Sequence, residues 1–201
     1  MVTVSEEVER LEVKEMLRTV EMRWFKRGEI PAVMNQWFKQ GCPGEVLGEA
    51  ETRTDWYLQP IAPCDDLNIK FRQGRIEVKW REKQLTTVDL DSQGEGIIEQ
   101  WVKWLCEAES LQDFCPQDSA WVAVEKARSQ RQWELSADAF CNVELTQLKV
   151  KDQNWWTFGL ESTGDAESLS EIAQAVSQTC PERFTPADAA AYPYWLTHKI
   201  C

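Results

Sequence analysis

Leu67-Asn68-Ile69-Lys70-Phe71-Arg72-Gln73-Gly74-Arg75-Ile76-Glu77-Val78-Lys79-Trp80-Arg81 reads as a β-hairpin. Leu67, Ile69 and Phe71 alternate with Asn68, Lys70 and Arg72. On the return, Ile76, Val78 and Trp80 alternate with Arg75, Glu77, Lys79 and Arg81. A period of two belongs to strands with one apolar and one polar face, and Gln73-Gly74 supplies the turn. The polar face is mostly cationic, in a chain whose net charge is -12. Two readings of that face are open. It is an anion site on which Lys and Arg converge, or the solvated side that an antiparallel sheet commonly exposes.

The neighbouring segments repeat the alternation. Thr19 to Phe25 predicts a strand with Val20, Met22 and Trp24 on one face and Glu21 and Arg23 on the other. Glu51 to Leu58 is strand-like, and residues 83–88 extend the second strand of the hairpin. Further strands are predicted at Trp121 to Ala127, Arg131 to Leu135, Cys141 to Leu148 and Trp155 to Glu161. Three amphipathic helices are predicted between and after them. The first carries Ile30, Val33, Met34, Trp37 and Phe38 at helical spacing, with Pro31 in its first turn and Gly41 at its stop. The second carries Ile97, Ile98, Trp101, Trp104, Leu105 and Ala108, and the third Leu169, Ile172, Ala173 and Val176. Residues 1–17 are a short charged helix or an irregular lead-in. From Pro181 onward a short helix and an extended arm are expected. Strands with a polar face throughout predict an α+β protein built on an antiparallel sheet. If the sheet closes, the polar faces line a cavity and the helices cover the outside.

Composition narrows the function. The 201 residues suit one domain, and no apolar run of membrane-spanning length occurs. Met1 to Arg10 is polar and acidic, unlike a signal peptide. The seven Cys are odd in number and form no C-x-x-C pair; they read as reduced thiols of a cytoplasmic protein. The only His, His198, leaves no basis for a zinc site or a histidine triad. The acidic balance argues against a general nucleic-acid binder. Of the eleven Trp, most fall at apolar positions and read as core. Trp155 and Trp156 are adjacent, so one of them is expected to point away from the core.

The polar faces collect Glu21, Arg23, Arg53, Asp55, Lys70, Arg72, Glu77, Lys79, Arg81, Lys126, Arg128, Glu144, Thr146 and Glu161. Many cations with a few Glu on converging strands suit a polyanion held with a divalent metal. Oxygen ligands favour Mg²⁺ or Mn²⁺, and Arg forks match phosphate oxygens. A solvated sheet with salt-bridge ladders would present the same residues.

The order of these segments resembles the CYTH superfamily, the triphosphate tunnel metalloenzymes, which includes class IV adenylate cyclases and thiamine triphosphatases. Val20-Glu-Met-Arg-Trp-Phe25 followed by a helix resembles its first strand and helix, and Arg53-Thr-Asp-Trp-Tyr57 its x-x-D-x-Y strand. Leu67 to Lys79 resembles its cationic hairpin. Val124 to Arg128, Cys141 to Leu145 and Trp156 to Glu161 resemble its later strands. The likeness covers roughly residues 19–180, within a single domain of 1–201 that has a lead-in at 1–18 and an arm at 181–201. It implies a closed barrel of about eight strands that holds a triphosphate or other organic phosphate, or polyphosphate. Arg23, Lys70, Arg72, Lys79, Arg81, Lys126 and Arg128 would meet phosphate, and Glu21, Glu144 and Glu161 would hold Mg²⁺ or Mn²⁺.

The departures are as informative. The superfamily's first strand carries Glu-x-Glu-x-Lys; here those places hold Glu21, Arg23 and Phe25. Its late strand offers Glu-x-Glu; here it offers Gly159 and Glu161. Thr146 stands where an acidic residue is expected. Metal-assisted phosphoryl transfer needs carboxylates to fix the ion. Two functions are therefore expected: a metal-dependent phosphohydrolase, or a phosphate-binding module or protein scaffold that has lost metal chemistry.

Overall fold

The computed structural model describes residues 12–59, 63–107, 111, 113–116 and 119–200. Along the chain come β1 (Glu12–Arg27), α1 (Ala32–Gln40), β2 (Glu45–Val46), β3 (Glu51–Leu58), β4 (Leu67–Arg72) and β5 (Arg75–Asp89). A 3₁₀ turn at Asp91–Gln93 leads to β6 (Glu95–Glu107), β7 (Trp121–Ser136), β8 (Ala139–Val150), β9 (Gln153–Ser162), α2 (Ala166–Ser177) and α3 (Tyr192–Trp195). The strands lie in the order β2-β7-β3-β4-β5-β6-β1-β9-β8, and β7 pairs again with β8. That pairing, running from Glu125–Lys149 to Ser136–Ala139, closes eight antiparallel strands into a barrel. Strand β2 is an extra strand on the edge of β7. The protein is α+β and mostly sheet, with the helices outside the barrel.

The hairpin is as expected, with Leu67 opposite Trp80 and Arg72 opposite Arg75. The predicted pair of strands at 121–127 and 131–135 is one long strand, β7.

The predicted helix at 97–108 is a correction: residues 95–107 form β6, paired with β5 and β1 along its length, and Ala108 lies outside the described residues. The helical spacing arose because β6 buries side chains on both faces. Ile98 and Val102 are buried on one side and Trp101 on the other. A strand buried on both sides loses the simple alternation by which strands are recognised. The content of β-branched and aromatic residues, Ile97, Ile98, Trp101, Val102 and Trp104, was the signal that favoured a strand.

Two apolar clusters flank the barrel. In one, α1 presents Met34, Trp37 and Phe38 and α2 presents Leu169, Ile172, Ala173 and Val176 to Met22, Trp24, Leu145, Phe158 and Leu160. Helix α2 starts where the Asp165 side chain accepts a hydrogen bond from the Ser168 amide, at 2.8 Å. The other cluster closes one end of the barrel with Phe25, Tyr57, Val122, Val124, Leu148, Trp155, Trp195, Leu196 and Ile200. Both Trp155 and Trp156 are buried, one in each cluster, so neither points into solvent.

The C-terminal arm repairs a gap in the sheet. Strand β1 pairs with β6 only as far as Glu21. Beyond it, the Phe25 amide donates to Asp188 and the Ala190 amide donates to Arg23. The arm then turns Tyr192 under the barrel, where its ring stacks on Tyr57 at 5.5 Å. Further back the arm passes Gly94, where the Phe184 amide donates to Gln93 and the Glu95 amide to Phe184. Gly94 has φ +114, and a Cβ there would lie 1.5 Å from the Phe184 carbonyl oxygen. Backbone strain and backbone collision coincide at this residue. Gly94→Ala is expected to destabilise the protein by at least about 2 kcal/mol. Thermal melting checks this, and an unchanged melting temperature would show that the arm is not docked against the turn as described.

Candidate functional site

Closure turns the polar faces inward around a cavity of about 330 Å³, at the lower end of the range for small-molecule sites. Nine of the ten residues singled out from sequence line it: Arg23, Lys70, Arg72, Lys79, Lys126, Arg128, Glu21, Glu144 and Glu161. Arg81 does not. It pairs with Glu99 and Asp66, and its guanidinium lies 5.9 Å from the Trp101 ring, which Lys79 also approaches. Arg53, Glu77, Lys103, Tyr57 and Tyr192 complete much of the lining. Lys103 lies on β6, where the helical spacing of the apolar residues conceals its inward face. Tyr192 arrives from the far end of the chain and carried no local signal.

The strands deliver these side chains in cross-strand rows. Arg23 on β1 is opposite Gly159 on β9, which is opposite Glu144 on β8, which is opposite Gln130 on β7. In the next row Glu21, Glu161 and Asn142 are neighbours. On the other wall Asn68 is opposite Lys79, and Lys79 opposite Lys103.

Asp55, 0% exposed, anchors the densest group. Arg72 donates to both its carboxylate oxygens at 2.7 Å, and Lys126 reaches it at 2.8 Å. Lys126 also donates to the Tyr57 hydroxyl at 2.6 Å and lies 3.9 Å from the Tyr192 ring centroid. Glu77 pairs with Lys70 at 2.7 Å and Arg72 at 3.1 Å. Across the cavity Glu144 accepts from Arg23 at 2.7 Å, Arg128 at 3.1 Å and Gln130 at 2.9 Å. Glu21 accepts from Thr19 at 2.6 Å and pairs with Lys79. Glu161 lies 3.5 Å from Lys79 and 4.0 Å from Lys103. Thus Lys79 and Arg72 belong to partly buried ladders, not to a row of cations opposed only by one another.

These contacts set the ionisation states. Burial alone would keep Asp55 and Glu144 protonated. Lys126 and Arg72 outweigh it at Asp55, as Arg23 and Arg128 do at Glu144, and both carboxyls stay far below the usual range. Glu77 is held at about 2 against burial by Lys70 and Arg72. Glu21 moves the other way, raised chiefly by burial and further by Glu161. Two buried lysines shift downward. Burial, reinforced by Arg72, pulls Lys70 down to about 7. Burial pulls Lys126 to about 7 despite Asp55.

The arrangement does not fit a divalent metal centre. Among the described residues no group of three or more His, Cys, Asp or Glu is placed to hold an ion. Glu21, Glu144 and Glu161 are each engaged by cations instead. His198 lies outside the cavity, 2.9 Å from Asp65. Among the described residues Cys42, Cys64, Cys106, Cys115, Cys141 and Cys180 are free thiols. Cys141 is wholly buried in the core. No helix among the described residues is long and apolar enough to cross a membrane.

Two measurements probe this lattice. Removal of Asp55 strands Arg72 and Lys126 in a buried place, so Asp55→Ala is expected to lose roughly 3–5 kcal/mol in denaturant unfolding. The lysines give stability a pH dependence of a defined sign. Between about pH 7 and pH 10.5 the unfolded chain keeps protons on Lys70 and Lys126 that the folded protein has released. Their contribution to stability therefore rises with pH across that window, opposed above about pH 9 by the buried Cys42, Cys141 and Cys180 thiols, which burial pushes up. The melting temperature should be higher at pH 9 than at pH 7, and the rise smaller in Lys70→Met and Lys126→Met. An equal rise in both variants would contradict the assignment.

No protein-family model matches the chain, and no curated protein matches it. The structure itself establishes a closed antiparallel eight-stranded barrel, compatible with a tunnel fold.

Proposed function

We propose that the protein is a divergent member of the triphosphate tunnel superfamily that binds a phosphorylated polyanion, of the triphosphate or polyphosphate class, inside its barrel. The observation that carries this reading is the charge imbalance of the lining. Eight cations face the cavity, Arg23, Arg53, Lys70, Arg72, Lys79, Lys103, Lys126 and Arg128, against four lining carboxylates, Glu21, Glu77, Glu144 and Glu161. Asp55 lies among them, and Glu51 sits beside Arg53 and Arg128. A chain with net charge -12 places eight of its 22 Lys and Arg here. A phosphate chain entering the cavity restores full charge to Lys70 and Lys126 and gives arginine forks oxygen atoms to hold. The order of segments supports the same reading. Trp155 and Trp195, around which a protein scaffold would offer an aromatic surface, are buried, although Tyr194 beside them is 38% exposed. Binding, rather than turnover, is the proposed role, because the carboxylates that would orient a metal or a water are engaged by cations.

Tripolyphosphate at 100 times its dissociation constant is expected to stabilise the protein by roughly 2.7 kcal/mol, with orthophosphate much weaker. Affinity should fall from pH 6.5 to pH 9 as Lys70 and Lys126 lose their protons, opposite in sign to the stability of the free protein. Calorimetric titration of Lys79→Ala and Arg72→Ala should show at least tenfold weaker binding. Unchanged affinity in both variants would end the tunnel reading.

A further inference from the structure

Arg23 and Gly159 are two departures from the superfamily pattern, and in space they are one change. They are direct cross-strand partners. Arg23 is 8% exposed at its side chain, and its guanidinium lies flat against the place where residue 159 has no side chain. A Cβ at 159 would fall 2.7 Å from the Arg23 guanidinium carbon and 2.9 and 3.0 Å from its terminal nitrogens. Any residue other than glycine would force the guanidinium to shift from this position. On the far side of Gly159 stands Glu144, which Arg23 holds at 2.7 Å. The Tyr192 ring, 5.3 Å from the guanidinium, closes the seat from below.

We infer that the tunnel takes its phosphate ligand without a divalent cation, the Arg23 guanidinium seated over Gly159 supplying the fixed positive charge. This inference rests on the tunnel being a phosphate site. Both oxygens of Glu144 are already occupied, one by Arg23 and the other by Arg128 and Gln130. A metal approaching that carboxylate would meet the permanent positive charge already paired with it. In Glu21 a single oxygen, Oε1, meets both Thr19 and Lys79. A guanidinium is charged at every working pH and offers a planar fork of donors to phosphate oxygens, which a hydrated ion would otherwise supply. Charge neutralisation by Arg23 is thus built into the chain rather than recruited from solution.

The test is calorimetric titration with tripolyphosphate in EDTA and, separately, with equimolar Mn²⁺, together with electron paramagnetic resonance of Mn²⁺ added to the protein alone. The expected result is affinity in EDTA within threefold of that with Mn²⁺, and a Mn²⁺ signal unchanged by the protein. Arg23→Gln should weaken binding in EDTA at least tenfold. Arg23→Glu, which adds a carboxylate beside Glu144, should quench the Mn²⁺ signal. Should Arg23→Gln fail to fold, Arg23→Lys keeps the charge without the fork and should still lose at least threefold. Binding that needs Mn²⁺ overturns the inference and leaves the proposed function standing. Binding in neither condition overturns both, and equal affinity in wild type and the folded Arg23 variant overturns the role of Arg23.

Discussion

The pairing of β7 with β8 is the constraint on which the rest of the molecule depends. With those strands apart, the sheet would be open and its polar face would meet water. Once they pair, every inward side chain faces other inward side chains across a narrow space. Charges in that space are cut off from bulk solvent and must find partners. The ladders around Asp55, Glu77, Glu144 and Glu21 follow from closure. So do the downward shifts of Lys70 and Lys126, because closure buries them and brings Arg72 close, which together outweigh their carboxylate partners.

Closure also explains the ends of the barrel. Strand β1 leaves β6 after Glu21, and the C-terminal arm takes the vacated edge with its own backbone amides and carbonyls. The arm thereby positions Tyr192 and Trp195, which seal one end with Phe25, Tyr57 and Trp155. The aromatic content of the chain is spent largely on packing around the cavity. The cationic lining inside is polar chemistry held within an aromatic shell.

Much of this was legible in local pattern. The alternation in β4 and β5 placed Lys70, Arg72 and Lys79 on one face, and the same alternation in β1, β7, β8 and β9 placed Glu21, Arg23, Lys126, Arg128, Glu144 and Glu161. Other features were not local. β6 is covered on both sides, so its apolar residues lost the period of two and took on helical spacing. With it went Lys103. Arg81 has the same parity as Lys79, yet it sits where Glu99 and Asp66 draw it away from the cavity. Parity along a strand says which face a residue shares, not whether the cavity extends that far. The pairing of Gly159 with Arg23 needed the β1–β9 register, which no single strand encodes.

The account's central claim is that a polyanion occupies the barrel, and a crystal structure after soaking with tripolyphosphate tests it most directly. The account predicts a phosphate chain inside the cavity, with oxygens at hydrogen-bond distance from Arg23, Arg72 and Lys79. A cavity that stays free of phosphate while the anion settles on the outer surface would contradict it.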